Sequence, residues 1–158
     1  MGYGRFFAMI ATSTVVMFGL MYLNTYAADH LTFSETRVYM AIMMGGVMAV
    51  IMLAFMLSMY DRKSLNIAIF AGAAVIAAGS LWLVRSQQTV QDASWMRAMI
   101  PHHSIAILTS ERAEISDPRV RKLADEIIEA QRREIAEMKA LIADLEGGPA
   151  ATPEIDGR

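Results

Sequence analysis

The segment 92–103, DASWMRAMIPHH, sets one carboxylate, two thioethers and two adjacent imidazoles within a dozen residues. These groups suit metal ligation. Imidazole serves copper, zinc, iron and nickel, and thioether selects soft ions, above all Cu(I). The chain has no cysteine, which excludes thiolate zinc sites, iron–sulfur clusters, disulfides and cysteine nucleophiles. Any transition-metal site must draw on His, Met, Asp, Glu or backbone. No His-x3-His or Glu-x2-His repeat is present, as zinc or di-iron chemistry would favour. Ser104 and Ser110 have no evident oriented base, and no paired carboxylates suggest hydrolysis, so no enzyme activity is expected.

Helices must position these groups. Asp92 offers an N-cap for an amphipathic run to about residue 114 or 115. Pro101 interrupts it and predicts a bend near 97–99. At about 100° per residue, Asp92, Met96, Met99 and His103 share a sector of about 60° with Ile100 and Ile107, while His102 points about 100° away. Ser116-Asp117-Pro118 stops this helix and starts a second, with Asp117 as cap and Pro118 in the first helical position. The second helix runs to about Leu145, ends at Gly147-Gly148-Pro149, and leads into an expected disordered tail. Its apolar stripe reads Val120, Ile127, Gln131, Glu134, Met138, Leu141 and Leu145, with Leu123, Ala124, Ile135 and Ile142 beside it. Gln131 and Glu134 interrupt this stripe and need partners. Folding the chain at 116–117 sets His102 and His103 opposite Gln131 and Ala130, Met99 opposite Glu134, and Met96 near Glu137 and Met138. The simpler alternative is a core histidine bonded to Gln131 or Glu134, with Met96, Met99 and Met138 as packing.

The Asp92-x2-Trp-Met-x2-Met-Ile-Pro-His-His run, then Ser116-Asp117-Pro118-x-Val-Arg-x-Leu-Ala, then Ile127-Ile-x2-Gln131-x2-Glu134-Ile-x2-Met138, resembles the bacterial family named domain of unknown function 305 over about residues 92–146. That family is described as helical and ferritin-like, is largely exported, and includes periplasmic copper- and silver-binding proteins. The resemblance implies metal ligands at Met96, Met99, His102, His103 and Met138, with Glu134 and Gln131 as supporting groups; Glu134 is counted here with the candidate ligands as well, and Asp92 with the supporting residues. Family members commonly carry Met seven residues after the first His. Thr109 stands there in this chain, so one thioether is lost.

The N-terminal half reads as a membrane anchor. Residues 6–23, 38–60 and 65–84 are apolar runs without interior charge, each close to the roughly 20 residues a helix needs to cross a bilayer. The first is long for a signal peptide and is followed by a poor cleavage site, so a retained helix is expected. Arg5 and the Asp61-Arg62-Lys63 turn carry the basic flanks, which places the N-terminus in the cytoplasm and the C-terminal half outside a bacterial inner membrane. Eleven of the 14 methionines lie in this half. Met40, Met44, Met48, Met52 and Met56 follow a four-residue step that drifts about 40° per repeat, so they spread around the helix rather than line a pore. Packing is the expected role, with ion conduction along that helix as a lesser alternative. Ala68, Gly72, Ala73, Ala77 and Gly79 would permit close helix approach.

The net charge of −2 and the absence of a basic cluster argue against nucleic acid. The sequence therefore predicts an all-α chain: a three-helix membrane anchor over 1–85, a linker over 86–91, an extracytoplasmic helical hairpin over 92–146 that resembles half of a ferritin-like bundle, and a tail over 147–158. A lone hairpin leaves its stripe open, so a homodimer or a partner membrane protein is expected to complete a four-helix bundle. The expected function is copper (Cu(I) or Cu(II)) or silver binding for homeostasis or resistance. The alternative is a metal-free structural subunit of a larger membrane complex.

Overall fold

The computed structural model of the chain describes residues 2–147. Among these residues the regular structure is helical, with no strand. Five α-helices follow in order: α1, Tyr3–Leu20; α2, Glu35–Phe55; α3, Lys63–Ser86; α4, Asp92–Arg112; and α5, Pro118–Leu145. Three of them, α1 to α3, are long and apolar enough to cross a membrane. The expected tail falls on residues 148–158, outside the described residues, apart from Gly147. Gly147 adopts φ 78°, the left-handed conformation that suits glycine after a helix end.

The chain divides into two compact units. The first comprises residues up to Met21 together with Glu35–Val90. Here α2 packs against both α1 and α3. The approach is close because the α2 contacts are small. A Cβ on Gly46 would lie 2.9 Å from the Ala73 carbonyl oxygen and 3.2 Å from the Ala77 side chain, and one on Gly45 would strike Thr14. Gly72 and Gly79 face open space instead, so only part of the small-residue set in α3 serves packing. Phe6, Ala49, Leu53, Tyr60, Ile69 and Ala73 form the core, with Met52 and Met56 packed against it. At one end, Tyr3 donates to Asn66 Oδ1 at 2.8 Å, and Asn66 Nδ2 donates to the Tyr60 carbonyl at 2.9 Å. The buried amide is thereby satisfied. The apolar runs had set the helix ends two to five residues away from those found. α1 stops at Leu20, and the second run breaks at Phe55 into a short 3-10 turn over Leu57–Met59.

The second unit comprises Tyr22–Ser34 and the chain from Gln91 onward. The linear division into anchor, linker and C-terminal helices therefore misses one thing. The α1–α2 connection groups with α4 and α5, not with the helices it joins. α4 and α5 pack along their length with contacts running in opposite directions: Glu111 with Arg132, His103 with Glu134, and Arg97 with Glu146. Asp117 caps α5, its carboxylate accepting the Arg119 N–H at 2.8 Å, and Pro118 takes the first helical position. Asp92 does not cap α4. Gln91 occupies that place through its backbone, and Asp92 sits exposed in the first turn.

The buried face of α5 is also rotated from the expected stripe. Ala124, Ile128, Ile135 and Met138 are buried, whereas Val120, Leu123, Leu141 and Leu145 are exposed. Two overlapping apolar sets occur on this helix, and α4 covers the one centred between Ala124 and Ile135.

Candidate functional site

The face of α4 that meets α5 consists of Met96, Ile100, His103 and Ile107, all buried, with Met99 half-buried beside them. Their three- and four-residue spacing puts them on one side of the helix. Across from them, α5 contributes Ile128, Ile135 and Met138 to the same cluster. Three thioethers therefore share one apolar cluster. His103, 9% exposed, belongs to the helix face that lines it.

His103 is fixed through both ring nitrogens. Nδ1 lies 3.0 Å from the Met99 carbonyl oxygen, one turn earlier, and Nε2 lies 2.6 Å from Glu134 Oε2. A carbonyl oxygen can only accept, so Nδ1 carries the hydrogen and donates it. Nε2 then faces the Glu134 carboxylate. Metal-ligating histidines likewise tie one ring N–H to a backbone carbonyl and leave the other nitrogen for the ion; here that other nitrogen faces Glu134. The Glu134 side chain is half exposed, so this end of the cluster opens to solvent.

The sequence register set Glu134 opposite Met99 and placed Ala130 opposite His103. The structure pairs Glu134 with His103, one turn away. Side chains on a helix lean toward its N-terminus. In an antiparallel pair that lean displaces partners in this direction, and the length of the glutamate extends it. Gln131 is half-buried and gives no bond to His103. His102 is exposed, its ring centroid 6.1 Å from that of His103. Met96, Met99, His103, Glu134 and Met138 are thus brought to one region, whereas Asp92 is at the exposed helix start. Among the described residues no three of His, Asp and Glu come together as a metal site, so the thioethers decide what the cluster could hold.

A second constellation lies one residue further along α4. Ser104 is fully buried. Its Oγ accepts the Tyr26 backbone N–H at 2.7 Å and lies 2.9 Å from His30 Nδ1. A base does stand beside Ser104, contrary to the sequence expectation, and Asp29 follows at 3.9 Å from His30 Nε2. The set does not make a nucleophile, because a wholly buried hydroxyl that already accepts a backbone N–H is closed to substrate. Asp29 is engaged instead with Lys139 at 2.6 Å, and that hydrogen bond holds its carboxyl below the usual range. Burial pushes the His30 imidazole down, outweighing the opposite pull of Asp29. The neutral ring shares one hydrogen with the Ser104 hydroxyl across the 2.9 Å contact at Nδ1. These contacts join residues 74 to 110 positions apart, which no local pattern reveals. A buried serine on the α4 face was the one available signal.

Residues 83–154 match the family model described as Domain of unknown function (DUF305). An uncharacterized protein of Acanthamoeba polyphaga mimivirus is 29% identical over 142 residues, covering 85% of this chain and 91% of the relative. A match of that extent must include most of the apolar N-terminal half as well as α4 and α5. No solved structure matches the chain.

Proposed function

We propose that this chain, a DUF305 domain joined to three apolar helices, is a membrane-anchored, extracytoplasmic binder of a soft metal ion, copper or silver, in metal homeostasis or resistance. The observation that carries this reading is the tautomer imposed on His103: Nδ1–H on the Met99 carbonyl, Nε2 turned toward Glu134. Met96, Met99 and Met138 stand in the adjoining cluster. His103 Nε2, the thioethers and the Glu134 carboxylate would hold the ion, with His102 available at the exposed edge. The balance of sulfur over oxygen favours Cu(I) or Ag(I) over harder ions.

The basic flanks Arg5 and Arg62-Lys63 support an N-terminus in the cytoplasm of a bacterial inner membrane. With three crossings, the α1–α2 connection and the C-terminal helices emerge on the same side. Their grouping in one compact unit agrees with that topology. The exposed Val120, Leu123, Leu141 and Leu145 support a second copy, or a partner membrane protein, completing a ferritin-like four-helix bundle around the α4–α5 hairpin.

One observation favours a structural subunit without metal: both nitrogens of His103 already have hydrogen-bond partners. Titrating the full-length protein in detergent with Cu(I) against a competing chelator separates the two readings. Binding that weakens at least about tenfold in His103→Ala and in Met99→Ala supports the metal site. Equal binding by wild type and by the double variant, or none at all, overturns it. Recovery of stoichiometric protein partners without metal would then favour the structural subunit.

A further inference from the structure

Pro101 has no N–H, so the Arg97 carbonyl, four residues earlier, loses the donor it would have in an uninterrupted helix. The structure supplies one from elsewhere: Thr32 Oγ1 donates to the Arg97 carbonyl oxygen at 2.5 Å. Thr32 belongs to the α1–α2 connection, the segment that also places Tyr26 N–H and His30 Nδ1 on Ser104 Oγ and Asp29 on Lys139. All of these attachment points adjoin the candidate site. Arg97 stands between Met96 and Met99, Ser104 follows His103, and Lys139 follows Met138.

We infer that the α1–α2 connection is a strap that positions the His103 site, docked on the carbonyl left open by Pro101 and on the buried Ser104 hydroxyl, with Thr32 and Ser104 as positioning residues. The strap spans the turn of α4 that carries Met99, Pro101 and His103. A mid-helix serine can point to solvent or bond back to the carbonyl four residues earlier. Here its oxygen is given to the strap, so strap and helix hold each other. The positioning role toward a metal rests on the function proposed above; the docking itself does not.

The test uses full-length protein in detergent and metal-free readouts first. Amide hydrogen exchange at Tyr26 reports docking, and the His103 ring resonances report the site. Thr32→Val and Ser104→Ala are expected to speed Tyr26 exchange by about tenfold or more and to shift the His103 ring signals. Thr32→Ser, which keeps the hydroxyl, should restore both. Ser110→Ala, on the same helix but away from the strap, should change neither. Fast Tyr26 exchange in the wild type, or His103 signals identical in wild type, Thr32→Val and Ser104→Ala, overturns the proposal. So does failure of Thr32→Ser to restore them. A Cu(I) titration then adds an independent arm, with Thr32→Val weaker by about tenfold and Thr32→Ser near wild type. No Cu(I) binding in any form rejects the metal reading while the exchange and ring signals still decide the strap. Unchanged Cu(I) affinity in Thr32→Val, with wild-type binding intact, rejects the positioning role.

Discussion

Single residues decide the chemistry open to α4. His103 is engaged at both ring nitrogens, and that pair of partners was legible from helical spacing only in part. The wheel put His103 on the inner face and His102 at the edge, as the burial of the two residues reflects. The partner was harder to read, because a one-turn displacement exchanges Gln131 for Glu134, and the lean of side chains is invisible in residue numbers. His30 could not be linked to Ser104 at all, since 74 residues separate them. Its titration has a definite sign. Burial lowers the folded-state value, so the unfolded chain takes up the proton first, near pH 6.5. The neutral ring's contribution to strap docking is therefore full above about pH 6.5. It is lost as pH falls through that value toward the folded-state one. Tyr26 amide protection measured from pH 7.5 to pH 5 should decline in wild type. In His30→Gln, whose side chain does not titrate, it should stay level; parallel curves would rule His30 out as the cause.

The elements were the most legible scale, since α5 is marked at both ends by its own residues, Asp117-Pro118 and Gly147. Its buried face was misread because two apolar sets overlap on one helix, and only α4 decides which is covered. In the other unit the α2–α3 contact depends on Gly46, whose missing Cβ admits the backbone at Ala73. A rigid carbonyl cannot move aside for a methyl group as a side-chain tip could. Gly46→Ala should lower stability in detergent by about 1–3 kcal/mol, the usual cost of overpacking. Gly72→Ala, facing open space on α3, should leave it unchanged or slightly raised. Thermal unfolding followed by circular dichroism distinguishes the two, and equal melting of both variants would place the contact elsewhere.

At the scale of the whole molecule, the absence of cysteine makes the sidedness of the chain directly measurable. Asn24→Cys and Ser116→Cys, labelled with an impermeant maleimide in intact cells, should react together. Ser64→Cys should react only after the membrane is opened. Reaction of Asn24→Cys and Ser116→Cys from opposite sides would exclude three crossings. Composition revealed the division into an apolar half and a charged half, but not the membership of Tyr22–Ser34 in the second unit, because nothing in that stretch is amphipathic over a useful length. That membership sets an order of assembly. The donor that completes the turn at Pro101 is translated 65 residues before its acceptor, with α2 and α3 made in between. Synthesis runs from the N-terminus, so the strap must wait, its docking groups unmet, until α4 leaves the ribosome. Closing a loop of that length is slow next to local helix formation. A fragment beginning at Gln91 would lack the strap entirely: α4 could wind, yet the Arg97 carbonyl would be left to solvent and Ser104 without its clasp.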